Sequence, residues 1–151
     1  MAGRHHLAQM SPILLLTIPV LFSSRQSPAV RDVIIVAADY TFTVPTPIRA
    51  GLTTFGFENR GQQRHEMSLA RLKPGITVDS LLQINPGPAR RALVDVNTGG
   101  ILFAEPGQHT LDRLLVNLEA GRTYAVICNL RDAPDKPQHT SLGMFATFTV
   151  K

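Results

Sequence analysis

From residue 32 onward the chain reads as short extended segments cut by turn residues, and this punctuation restricts the fold more than any other feature. Asp32–Ala38 is an apolar run suited to a strand buried on both faces, after which Tyr40, Phe42 and Val44 alternate with Thr41 and Thr43 until Pro45 and Pro47 end the stretch. Leu52–Asn59 sets Phe55 and Phe57 on one face, and extended character resumes at His65–Leu72 after the turn-prone Asn59-Arg-Gly61. The middle differs: Thr77–Gln83 suits one or two helical turns, stopped by Asn85-Pro-Gly-Pro88. Strand-like segments return at Ile101–Phe103, Thr110–Leu118, Arg122–Asn129 and Met144–Val150, with a polar loop over 130–142. About seven strands with frequent turns and little helix predict an all-β sandwich or barrel carrying a short helical insertion in the middle.

The full length of 151 residues suits one domain, over 32–151, since domains usually run to ~100–150 residues. Hydrophobic residues at 44% and charged residues at 17% give an ordinary globular balance. Residues 1–27 read differently: Arg4, then the apolar run Pro12–Phe22, then Ser23 and Ser24, a secretory signal pattern that predicts a periplasmic or otherwise extracytoplasmic location. The run is short against the ~20 residues a spanning helix needs, so stable membrane insertion is not expected unless the segment stays attached as an amino-terminal anchor. The formal charge of +4 falls by two without Arg4 and Arg25, and the remaining basic residues are scattered, so no nucleic-acid partner is expected.

A lone cysteine in an exported chain needs protection, because it has no internal disulfide partner and a free thiol oxidises unless buried or ligated. On a strand, residues of like parity share a face, so Cys128 emerges with Tyr124 and Val126, and Met144 with Ala146, Phe148 and Val150. If those faces point inward on neighbouring strands, both sulfurs arrive at one end of the core, and the loop between them brings His139 there. His65, opening its strand with Met67 and Leu69 on its face, supplies a fourth group. Two imidazoles, a thiolate and a thioether match a trigonal His2Cys site with a weak axial Met, the donor set of blue-copper electron transfer. The soft sulfurs favour Cu(I), while imidazole accepts either oxidation state.

These residues carry a resemblance. Asn59-x-Gly-x-x-x-His65-Glu-Met, Tyr124-Ala-Val-Ile-Cys128, and His139-Thr-Ser-Leu-Gly-Met144 leading into Phe-Ala-Thr-Phe-Thr-Val150 are similar to the cupredoxins, in particular the plastocyanin-like proteins of bacterial periplasms, over roughly residues 32–150. The resemblance implies a Greek-key β-sandwich and one type 1 copper ion held by His65, Cys128, His139 and Met144. It implies single-electron transport rather than enzymatic catalysis, with redox proteins as partners meeting a more exposed His139 edge. Two departures stand out: ten residues separate Cys128 from His139, more than in plant-type carriers, and Glu66 follows the first histidine where better-known members often have Asn.

Other readings remain open. His65-Glu-Met67 is also the pattern by which some periplasmic copper chaperones or storage proteins hold Cu(I), here with Met144; a cupredoxin-like domain without metal could serve as an interaction module. Met144 and Met67 could each be core packing, and His65 a surface histidine. His109 reads as a solvated loop residue. No family-specific signature for a thiol nucleophile surrounds Cys128, and no phosphate loop, HExxH or paired-cysteine zinc pattern is present.

Overall fold

The computed structural model of the protein describes residues 29–151, so the export segment expected at 1–27 lies outside the described residues. Among the described residues eight strands build two four-stranded sheets: β1 (Arg31–Ala38), β2 (Thr41–Thr43), β3 (Gly51–Asn59), β4 (His65–Leu72), β5 (Val94–Ala104), β6 (Leu114–Leu118), β7 (Thr123–Ile127) and β8 (Phe145–Thr149). One sheet has the order β2-β1-β3-β6, the other β5-β4-β7-β8. The chain changes sheet after β3, β5 and β6, and β4 pairs with β7 across a long intervening stretch, the crossed connectivity of a Greek-key sandwich. β1 runs parallel to β3, with Ile35 opposite Phe57.

Alternation decides which side chains fill the space between the sheets. Ile35, Ala37, Phe55, Phe57, Val116 and Leu118 enter from the first sheet; Met67, Leu69, Leu102, Ala104, Tyr124, Val126 and Phe148 from the second. Phe148 stacks on Tyr124 with ring centroids 5.4 Å apart and meets Phe55 of the opposite sheet at 6.0 Å. Burial of each such side chain contributes about 1.5–3 kcal/mol, so these aromatics hold the sheets face to face.

The expected double burial belongs to another strand. In β1 only Ile35 and Ala37 are buried, while Ile34 and Val36 on the outer face are half-buried, because no packed layer of the described residues covers that side as fully as the core covers the other. β7 is the strand enclosed on both faces: Tyr124 and Val126 point into the sandwich, Ala125 and Ile127 outward under the helical insertion. That insertion is α1 (Val78–Leu82), started by a reciprocal Thr77–Ser80 capping box, and α2 (Pro88–Arg91), which begins on a proline where the missing N–H costs nothing. Leu81 of α1 packs with Leu72, Ala125 and Ile127. Of the extended segment expected at Thr110–Leu118, only Leu114–Leu118 forms a strand.

Candidate metal centre

One end of the sandwich gathers the start of β4, the end of β7, the start of β8 and the loop between the last two. The turn before β4 is closed by Asn59, whose buried Nδ2 donates to Gln63 O (2.7 Å) and Ala104 O (3.0 Å), while its Oδ1 accepts from the Gly61 amide (2.9 Å). A Cβ at residue 61 would lie 2.2 Å from Asp39 Oδ1, so any larger residue there would displace the Asp39 carboxylate. His65 thus enters β4 in a fixed register, opposite Ala104. Beyond β7, Cys128 N donates to Met144 O (3.2 Å) and prolongs the β7–β8 pairing by one step. His139 N then donates to Leu130 O (2.8 Å), Thr140 N to Cys128 O (2.9 Å) and Met144 N to His139 O (2.9 Å). These bonds fold the ten-residue loop back on itself and set His139, the first residue of a 3-10 turn over His139–Leu142, beside the cysteine.

Three donors converge. His65 Nδ1 lies 3.1 Å from His139 Nδ1, and Cys128 Sγ lies 3.4 Å from His139 Nδ1 and 3.9 Å from His65 Nδ1. All three side chains are buried, and their donor atoms fall within 4.8 Å of one another. The Glu66 amide donates to Sγ at 3.4 Å.

The far nitrogens explain why the near ones point inward. His65 Nε2 lies 3.1 Å from Asp39 Oδ1, and His139 Nε2 lies 2.8 Å from Asp132 Oδ1. Asp39 Oδ1 also accepts the amides of Gln62 (2.9 Å) and Gln63 (3.1 Å), and Asp132 Oδ2 accepts the Tyr40 hydroxyl (2.7 Å). Carboxylates so surrounded by donors are ionised and can only accept, which favours imidazoles protonated on Nε2 with the Nδ1 lone pair turned toward the other ring and the sulfur. Two lone pairs 3.1 Å apart next to a sulfur, with no ring proton to share between them, form a set of Lewis bases arranged for a cation.

Electrostatics agree with that assignment. Desolvation works to raise the Asp39 carboxyl, but the Gln62 and Gln63 amides and His65 outweigh it and hold it below its ordinary 3.8. The Tyr40 hydroxyl, against some desolvation and with help from His139, holds Asp132 below 3.8, and Tyr40 is itself raised by Asp132. Burial lowers His65 from its ordinary 6.5, partly offset by Asp39. Burial raises the Cys128 thiol above 9.0 against the opposing amides of Glu66 and Leu130.

Three of the four expected ligands therefore meet, and the fourth stands next to them. Met144 is fully buried, packs in the same core cluster as Cys128, and is bonded through its backbone to both Cys128 and His139. Met67 is fully buried opposite Leu102 within the sandwich. His109 is exposed, as expected, and forms an isolated bridge with Glu58. One expectation is overturned: the His139 edge is not exposed, because its ring is only 1% accessible under Tyr40, whose ring stands edge-on at 5.2 Å, and Asp132. Sequence pattern gave no sign of Asp39, placed Tyr40 only in the alternation with Phe42 and Val44, and left Asp132 inside the polar loop over 130–142. Glu66 has a definite place too: its Oε1 accepts both the backbone and side-chain N–H of Asn129, each at 2.9 Å, tying β4 to the residue after the cysteine.

Two buried imidazoles, a cysteine sulfur and an adjacent methionine fit a type 1 copper ion in donor type, number and order along the chain. The two-sheet sandwich that presents them at one end has the cupredoxin fold. Among solved structures, auracyanin B is similar with a TM-score of 0.51 and 20% identity, covering 84% of this chain and 92% of that one. Auracyanin A, described as a "blue" copper protein from the green thermophilic photosynthetic bacterium Chloroflexus aurantiacus, gives a TM-score of 0.50 and 19% identity, covering 82% of this chain and all of the other. The sequence matches no family model and no curated protein at significant similarity.

Proposed function

We propose that this chain is a type 1 copper protein that carries single electrons outside the cytoplasm between redox partner proteins. The observation that carries the proposal is the convergence of Cys128 Sγ with the Nδ1 atoms of His65 and His139, both Nε2 protons being committed elsewhere. The residues 1–27 pattern supports export.

Bound copper would supply the one-electron couple; the two Nδ1 atoms and the Cys128 sulfur would hold it, with Met144 as a weaker sulfur donor. The protein's own share is to keep those groups still. Burial keeps Cys128 protonated in the absence of a cation, so metal binding must displace the thiol proton, and the Glu66 amide remains to donate to the resulting thiolate. Each ring is pinned from behind, so the site can change charge with little movement of its ligands.

Adding Cu(II) to the purified protein is expected to give an intense blue thiolate-to-copper absorption, and Cys128→Ser to abolish it. A colourless protein that retains Cu(I) would instead identify a copper chaperone or store, and failure to retain either ion a metal-free module. If Cys128→Ser left the band unchanged, the thiolate assignment would be wrong.

A further inference from the structure

We propose that Asp39 and Asp132 are positioning residues of the metal centre: each carboxylate holds one ligand histidine in its Nε2–H form, adds negative charge behind the ring, and so biases the site toward the oxidised ion. The inference deepens the copper reading and rests on it for its redox part.

The two aspartates come from different places yet stand in the same relation to the two rings. Asp39 lies in the β1–β2 turn and reaches His65 Nε2 at 3.1 Å; Asp132 lies in the Cys128–His139 loop and reaches His139 Nε2 at 2.8 Å. The rings are 0% and 1% accessible, whereas the carboxylates are 34% and 28% accessible. Each aspartate thus spans the step from solvent to a buried ligand and is itself fixed. Asp39 is held by the Gln62 and Gln63 amides, Asp132 by the Tyr40 hydroxyl at 2.7 Å.

Charge gives the direction of the effect. The thiolate and two carboxylates outweigh a dipositive ion by one negative charge and a monopositive ion by two, so reduction adds an electron to a region already negative. A carboxylate accepting the Nε2 proton also strengthens the Nδ1 donor, which favours the more electron-poor copper. The Tyr40–Asp132 pair closes the His139 ring edge to solvent.

The test uses the full chain and four variants, Asp39→Asn, Asp132→Asn, Asp132→Ala and Tyr40→Phe. Asparagine keeps an acceptor for Nε2–H but removes the charge, so each Asn variant is expected to stay blue while its Cu(II)-to-Cu(I) affinity ratio falls about tenfold. For a one-electron couple that is a rise in reduction potential of about 59 mV. Tyr40→Phe, which leaves both charges in place, should shift the potential less than Asp132→Asn. The metal-free protein gives a separate readout: nitrogen-15 NMR of wild type should find His65 and His139 in the Nε2–H form, and Asp132→Ala should release His139 from it. Unchanged potentials in both Asn variants, or wild-type histidines protonated on Nδ1, would overturn the proposal. A wild-type chain that never turns blue defeats the copper reading instead, and the tautomer measurement then still decides the positioning role.

Discussion

Where each proton sits decides how the metal-free site responds to pH. Burial lowers His65 from 6.5, so the unfolded chain takes up that proton more readily than the folded one. Stability from this group is complete well above 6.5 and is lost as pH falls below it. Asp39 and Asp132, both held below 3.8, act in the same direction at lower pH, losing their stabilising interactions only as pH falls through that range. Urea unfolding of the metal-free protein at pH 7.5, 6 and 5 is therefore expected to show a falling midpoint; a constant midpoint would mean that His65 is not desolvated as the structure has it. Met144 offers a second test at this scale. Met144→Leu nearly conserves volume at a fully buried position and should cost less than about 1.5 kcal/mol of stability. The blue band should survive, while loss of the weak sulfur donor shifts the reduction potential; redox titration of the two proteins reads the difference, and equal potentials would mean that the Met144 sulfur does not reach the ion.

Among the elements, β4 and its neighbours are where sequence pattern and structure agree best, and the reason is periodicity. A strand has a period of two, so inward residues such as His65, Met67 and Leu69, or Tyr124, Val126 and Cys128, identify one another without any knowledge of the partner strand. Turns and loops have no such period. Asp39 and Asp132 look like ordinary solvated residues, and Tyr40 like the start of an alternating strand, until the chain is folded; only the fold shows that the two aspartates stand behind ligands. Strand β1 shows the opposite failure: Asp32–Ala38 carries apolar residues on both faces, yet the outer face stays half-buried, because composition cannot say which side receives a second layer. The junction of β4 and β5 depends on a feature that also escaped the pattern. The pairing shifts register between Leu69 and Arg71, and there Gly99 comes so close that a Cβ would lie 1.8 Å from Leu69 O. Gly99→Ala must push the two backbones apart, and a loss of about 1–3 kcal/mol or more is expected in urea unfolding; a midpoint equal to wild type would show that the strands do not approach as described.

Across the whole molecule, all four proposed ligands come from the β5-β4-β7-β8 sheet and the loop that joins its last two strands, whereas Asp39 and Tyr40 come from the β1–β2 turn of the other sheet. The Asp39–His65 and Tyr40–Asp132 bonds consequently bridge the two halves of the sandwich at the metal end, so occupancy of the site should be felt by the fold as a whole. An ion bound by the folded state alone stabilises by about 4 kcal/mol at a thousandfold excess over its dissociation constant. For a domain of this size that corresponds to a rise in Tm on the order of 10 °C. Calorimetry with and without copper is expected to show such a rise in wild type and little or none in Cys128→Ser. Tyr40→Phe keeps every ligand but frees Asp132 from the opposite sheet, so its metal-free form should melt earlier than wild type while retaining most of the copper-induced increment. Equal melting of the two metal-free proteins would mean that the Tyr40–Asp132 bond adds nothing to the joining of the sheets, and that the β2-β1-β3-β6 sheet contributes to the site only through Asp39.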